Sequence, residues 1–135
     1  MQHEDTKATK DLEERLSFVV IGAALEVHKT VGPGLLESVY EECLCQELFL
    51  RGIRVRRQVP LPLVYKGVRI RCGYRIDLLV EDRIVVELKA VDRVPQVALV
   101  QLLSHLRLFN RRLGLLINFH EEILRRGVRR VVNGW

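Results

Sequence analysis

Two segments, Arg75–Val80 and Ile84–Lys89, are joined only by the polar residues Glu81-Asp82-Arg83, and this constrains the fold more than any other feature of the chain. Both read as strands, and strands separated by so short a loop pair as an antiparallel hairpin. A loop of these residues sets Val80 opposite Ile84, and counting outward sets Asp77 opposite Glu87. Side chains alternate across a strand, so Glu87 and Lys89 share one face while Ile84, Val86 and Leu88 take the other. Directly opposed residues of an antiparallel pair project to the same side. Asp77, Glu87 and Lys89, ionisable groups on otherwise apolar strands, are thereby expected to meet at one spot.

Two opposed carboxylates repel each other unless a cation lies between them. A hard divalent ion, Mg2+ or Mn2+, suits such a site, with Asp77 and Glu87 as ligands and the main-chain carbonyl of Leu88 as a third. Such an ion polarises a phosphodiester and activates water. Lys89 beside it orients the attacking water or neutralises charge on the reacting phosphorus. The same residues also read as a plain salt bridge at the rim of a sheet, from Lys89 to Asp77 or Glu87.

The rest of the chain supplies the layers around this hairpin. Apolar residues from Leu12 through Leu16, Val19, Val20, Ala23, Ala24 and Val27 form a helical stripe that Gly32-Pro33-Gly34 ends. A second helix is expected over residues 35–50, closed by Arg51-Gly52 as a glycine C-cap. From Ile53 the period falls to two, with Pro60 and Pro62 marking an edge or an irregular continuation. Tyr65-Lys66-Gly67 forms a turn, after which Val68, Ile70 and Cys72 alternate with Arg69 and Arg71. A helix over residues 94–109, an apolar strand over 113–117, and an arginine-rich tail with a helical turn and a last strand complete the order. The fold class is α/β, a mixed sheet flanked by helices in one domain over residues 11–135, with residues 1–10 as a flexible N-terminus.

Composition narrows the function classes. With 48% hydrophobic and 29% charged residues and no apolar run of membrane-spanning length, the 135-residue chain reads as a soluble protein without a membrane partner. The polar start carries no secretory signal, so a cytoplasmic location is expected. Cys43, Cys45 and Cys72 are an odd number without a second metal half-site, and read as reduced buried thiols. Between Glu47 and Asp77 no acidic residue occurs, while arginines accumulate in a chain of net charge +5. Arg54, Arg56, Arg69 and Arg71 are expected to form one cationic strip leading toward Asp77 and gripping nucleic-acid phosphates, although a solvated sheet face shows the same pattern.

The stretch from Val31 to Asn133 resembles the GxxExxY protein family, a branch of the PD-(D/E)XK nuclease superfamily. Its naming motif stands as Gly34-Leu35-Leu36-Glu37-Ser38-Val39-Tyr40, followed by Arg57-Gln58-Val59-Pro60-Leu61, Gly73 to Val80, Val86-Glu87-Leu88-Lys89-Ala90 and Leu115-Leu116-Ile117-Asn118-Phe119. The resemblance implies a PD-(D/E)XK nuclease-like domain with its metal and catalytic site at Asp77, Glu87 and Lys89. It also implies that Glu37 supplies a further carboxylate, where the residues alone equally suggest a favourable acid in a first helical turn. The superfamily's usual proline before the first aspartate is Ile76 here. Where related nucleases carry Gln-x-x-x-Tyr, this chain has Gln101 and, one turn on, His105; Gln101 is placed to orient substrate or water, and His105 reads as a helix histidine or a proton shuttle. The expected function is a metal-dependent nuclease acting on DNA, or less readily on RNA. The alternatives are a catalytically silent nucleic-acid-binding module and a protein-interaction scaffold, and a homo-oligomer or protein partner is compatible with each.

Overall fold

The computed structural model describes residues 3–134. Helix α1 (His3–Val31) and helix α2 (Glu37–Leu50) precede strand β1 (Val55–Pro60), a small ribbon of β2 (Leu63–Tyr65) and β3 (Val68–Ile70), the hairpin of β4 (Arg75–Val80) and β5 (Ile84–Lys89), helix α3 (Gln96–Phe109), β6 (Leu113–Asn118), a 3-10 turn (Leu124–Gly127) and β7 (Val128–Val132). The main sheet has five strands in the order β1-β4-β5-β6-β7. Strands β5 and β6 are parallel, joined by α3 as the crossover, and the other pairs are antiparallel. It is a mixed sheet between helical layers, as the hydrophobic periods imply.

Two buried clusters hold the layers together. On one side Val20, Ala23, Ala24 and Val27 of α1 and Tyr40, Leu44 and Leu48 of α2 pack on Ile84, Val86, Leu88, Leu113, Leu115 and Ile117. On the other, Ala98, Leu102 and Leu106 of α3 pack on Leu79, Val85 and Leu116. Strand β6 is buried along its whole length, which explains its unbroken apolar sequence. Gly114 lets α3 approach closely, since a Cβ there would meet Leu102 Cδ1 at 3.0 Å.

The ends of elements follow local chemistry. Gly52 takes a left-handed φ of +75°, and Ile53 N–H donates to the Leu48 carbonyl at 2.9 Å, closing α2. Helix α3 starts at Gln96 rather than 94, because Pro95 drives Val94 out of helical conformation. Helix α1 starts at His3, well ahead of the apolar stripe. The ribbon β2–β3 is the main departure from a single sheet. Pro60 and Pro62 interrupt the ladder, and the tight turn at Lys66-Gly67 pairs the segment with itself, leaving Val64, Tyr65, Val68 and Ile70 exposed. All three cysteines are free and half-buried, and burial raises the Cys45 thiol to about 11. Among the described residues no helix is long and apolar enough to cross a membrane.

Candidate active site

The β4–β5 ladder runs Val80↔Ile84, Leu79↔Val85, Leu78↔Val86 and stops there. Asp77 and Glu87 are the next pair in that register, and at this point the sheet forks. Strand β4 stays with β1 as far as Pro60↔Arg75, while β5 stays with β6 as far as Lys89↔Asn118. The carboxylate of Asp77 spans the fork, accepting the Leu88 N–H at 2.8 Å in place of a ladder bond. Alternation also breaks here. Leu78 and Val80 face the α1–α2 core, yet Ile76 joins the α3-side cluster with Val59, and Gln58 between them adopts a left-handed φ of 51°.

Glu87 and Lys89 lie at the mouth of this fork, both half-buried. Glu87 Oε1 is 3.1 Å from His105 Nδ1 on α3. With Glu87 ionised it can only accept, so Nδ1 carries the proton and His105 holds Glu87 in place. Lys89 forms no ion pair among the described residues, so the salt-bridge reading of the motif is not what the fold makes. Its backbone is fixed instead. The Lys89 carbonyl accepts the Phe119 N–H at 2.9 Å, and buried Asn118 binds the N–H and carbonyl of Val91 at 3.1 and 2.8 Å.

Helix α2 brings further acids. Gly34, at φ +93°, turns the chain sharply, and the Tyr40 hydroxyl donates to the Gly32 carbonyl at 2.5 Å while accepting the Leu35 N–H at 3.1 Å. The Tyr40 ring is buried and stacked on Phe119, 4.4 Å between centroids, which ties α2 to the strand end beside Lys89. This latch sets Glu37 as the first residue of α2, close enough for Lys89 and Glu87 to act on its carboxylate. One turn later Glu41 is buried and accepts from Arg57 at 2.8 Å and from Gln58 at 2.6 Å. Gln58 Nε2 also reaches Asp77 Oδ1, at 3.4 Å, so Glu41 and Asp77 share one amide.

The electrostatics report crowded acids. Burial lifts Asp77 from 3.8 to about 7, with Glu87, Glu37 and Glu41 adding to it and the Leu88 N–H opposing. Burial likewise raises Glu37, where Lys89 opposes and Glu87 and Glu41 add.

The arginines do not make one strip. Arg54 and Arg56 sit at the hairpin end of the sheet, away from Asp77, where Glu81 and Asp82 lie 3.1 and 3.9 Å from their guanidinium groups. Arg69 and Arg71 belong to the ribbon and the segment after it, past the opposite end of β1. The separation follows from β1 running antiparallel to β4, which puts Arg56 beside Leu79 and Pro60 beside Arg75. Gln101 is exposed on α3, one turn before His105, and its side chain forms no hydrogen bond among the described residues.

A family model described as the PD-(D/E)XK nuclease superfamily matches residues 14–131, nearly the whole chain. The chain belongs to the PD-(D/E)XK nuclease superfamily. Comparison with curated proteins and with solved structures gives no match. The acid–acid–lysine set expected from the sequence, Asp77, Glu87 and Lys89, lies at the sheet fork. Among the described residues no three His, Cys, Asp or Glu side chains come together as a metal-holding group. A hard ion of the Mg2+ type takes one or two carboxylates, carbonyl oxygens and water rather than such a cage. The sequence reading leaves out Glu41 and Gln58. Glu41 was signalled by its i,i+4 spacing from Glu37, whereas nothing local to Gln58 announces that it bridges two carboxylates.

Proposed function

We propose that this PD-(D/E)XK domain is a metal-dependent nuclease of the GxxExxY branch that hydrolyses phosphodiester bonds in DNA. What supports this reading is Asp77 at the end of an interrupted ladder, its carboxylate on the Leu88 N–H and near enough for Glu87 to act on it, with Lys89 two residues along the same strand as Glu87 and in no ion pair among the described residues. Asp77, Glu87 and the Leu88 carbonyl would hold Mg2+ or Mn2+, with Glu37 as a further acid. Bound there, the ion supplies Lewis-acid polarisation of the phosphodiester and a lower pKa for water.

The chain's own residues do the rest. Lys89 places a positive charge where negative charge grows on the phosphoryl oxygens, and it need not first break a salt bridge. His105 holds Glu87 by one oxygen and leaves the other free for a ligand. Gln101, exposed on the same stripe of α3, is placed to orient substrate. Burial, with the neighbouring acids adding to it, raises the Asp77 carboxyl, and a cation held there would have to displace its proton.

The test is cleavage of plasmid, linear and single-stranded DNA with and without Mg2+ or Mn2+, with metal binding followed by calorimetry. Asp77→Asn is expected to lose metal binding and cleavage together. Lys89→Ala is expected to keep the metal and lose about 10²–10³ in rate. Wild-type protein that binds DNA but neither binds a divalent ion nor cuts would overturn the proposal and leave a binding module.

A further inference from the structure

The cations between Glu47 and Asp77 fall into two groups. Arg54, Arg56 and Arg57 are each paired with carboxylates, from Glu81, Asp82, Glu41 and Glu42. Lys66, Arg69, Arg71 and Arg75 are exposed and pair with no carboxylate among the described residues. Arg69, Arg71 and Arg75 line one cavity of about 510 Å3 where the β2–β3 ribbon leaves the sheet, and no Asp or Glu lines it. The rest of its wall is largely apolar, including Pro60, Leu61 and Ile70, together with the exposed ring of Tyr74. That ring lies 5.5 Å from the His105 ring, and His105 is bound to Glu87, so Tyr74 and His105 link the cavity wall to the candidate active site.

A row of duplex phosphates requires cations and nothing else. An apolar wall and an exposed tyrosine beside those cations gain nothing from it. An unpaired nucleotide uses both, its base against the ring and apolar side chains and its phosphate on the arginines. The volume lies within the range of sites that enclose a small ligand. The geometry points to this cavity as the seat of an unpaired nucleotide next to the bond addressed by Asp77, Glu87 and Lys89, which makes single-stranded DNA the preferred substrate. The inference rests on the nuclease reading for the cut, and not for the binding.

The binding is therefore measured first without metal, by fluorescence anisotropy in EDTA. The probes are a labelled oligothymidylate and a blunt duplex of the same length. The oligothymidylate is expected to bind about tenfold more tightly, the scale of one stacked base. Arg69→Gln with Arg71→Gln is expected to weaken it and to flatten its logarithmic salt dependence by about 1.4, two single-strand phosphate contacts. Ile70→Ser is expected to weaken it with the salt dependence unchanged, while Arg15→Gln on α1 leaves it as it was. Circular dichroism and thermal melts confirm that each variant is folded. Equal or tighter binding of the blunt duplex, or an oligothymidylate affinity that neither ribbon variant changes, overturns the inference. Strand preference without any Mg2+- or Mn2+-dependent cleavage leaves the pocket standing and ends the nuclease reading; cleavage without strand preference does the reverse.

Discussion

Asp77 is where residue chemistry and fold meet. Its folded pKa of about 7 lies above its ordinary 3.8, so between those values the folded state holds a proton that the unfolded chain has released. Stability from this group is therefore full in acid and is lost as pH rises through about 7. In EDTA, Asp77→Asn is expected to melt above wild type at about pH 8, with the gap closing steadily as pH falls toward about 4, because the amide oxygen keeps the Leu88 N–H partner without the buried charge. A wild-type curve that runs parallel to the variant's across this range removes the argument. A metal bound at Asp77, as proposed, would have to expel the same proton. Calorimetric titrations with Mg2+ in buffers of different ionisation enthalpy should show proton release near neutral pH, and none for Asp77→Asn.

At the scale of elements, the turn between α1 and α2 is set by one side chain. Tyr40 satisfies the Gly32 carbonyl and the Leu35 N–H with a single hydroxyl and stacks its ring on Phe119. Tyr40→Phe keeps the stacking and leaves both main-chain groups without that partner, which is expected to cost about 1–3 kcal/mol in urea unfolding. Because Glu37 opens the same helix, the variant should also weaken Mg2+ binding if that carboxylate is a ligand. Gly127 makes the matching demand at the same end of β6. A Cβ there would collide with the Asn118 carbonyl, and Asn118 holds the loop that follows Lys89. Gly127→Ala is therefore expected to destabilise the fold by roughly 1–3 kcal/mol, measured by the same unfolding curves.

Across the whole molecule, α1 is tied to the far side of the sheet by a buried ion pair, Glu13 Oε1 to Arg112 Nε at 2.5 Å, with Arg130 bonded to Glu14 nearby. Removing one partner strands a buried charge. Arg112→Ala is expected to lose about 3–5 kcal/mol of stability in denaturant unfolding, far from the site and without change in metal affinity of the folded protein. A loss below 1 kcal/mol, the value of a surface pair, would show that Glu13 is solvated in its absence.

The hairpin and its register from Val80↔Ile84 to Leu78↔Val86 were legible in the sequence, because a period of two and a loop from Glu81 to Arg83 leave one antiparallel pairing for these strands. The helices were legible from their apolar stripes, and the candidate site from ionisable residues on apolar strands. Local rules reach no further, since each acts over one or two turns of chain. The fork at Asp77 depends on β1 and β6 holding β4 and β5 apart, which are pairings between distant segments. The bridge from Glu41 through Gln58 to Asp77 joins residues 17 and 19 positions apart. The arginines of one acid-free stretch were divided by folding into those that meet Glu81, Asp82, Glu41 and Glu42 and those that meet none among the described residues. Sequence fixes which charges a strand carries; only packing fixes which opposite charges come within reach, and the Coulomb energy that separates a neutralised arginine from a free one depends on that distance.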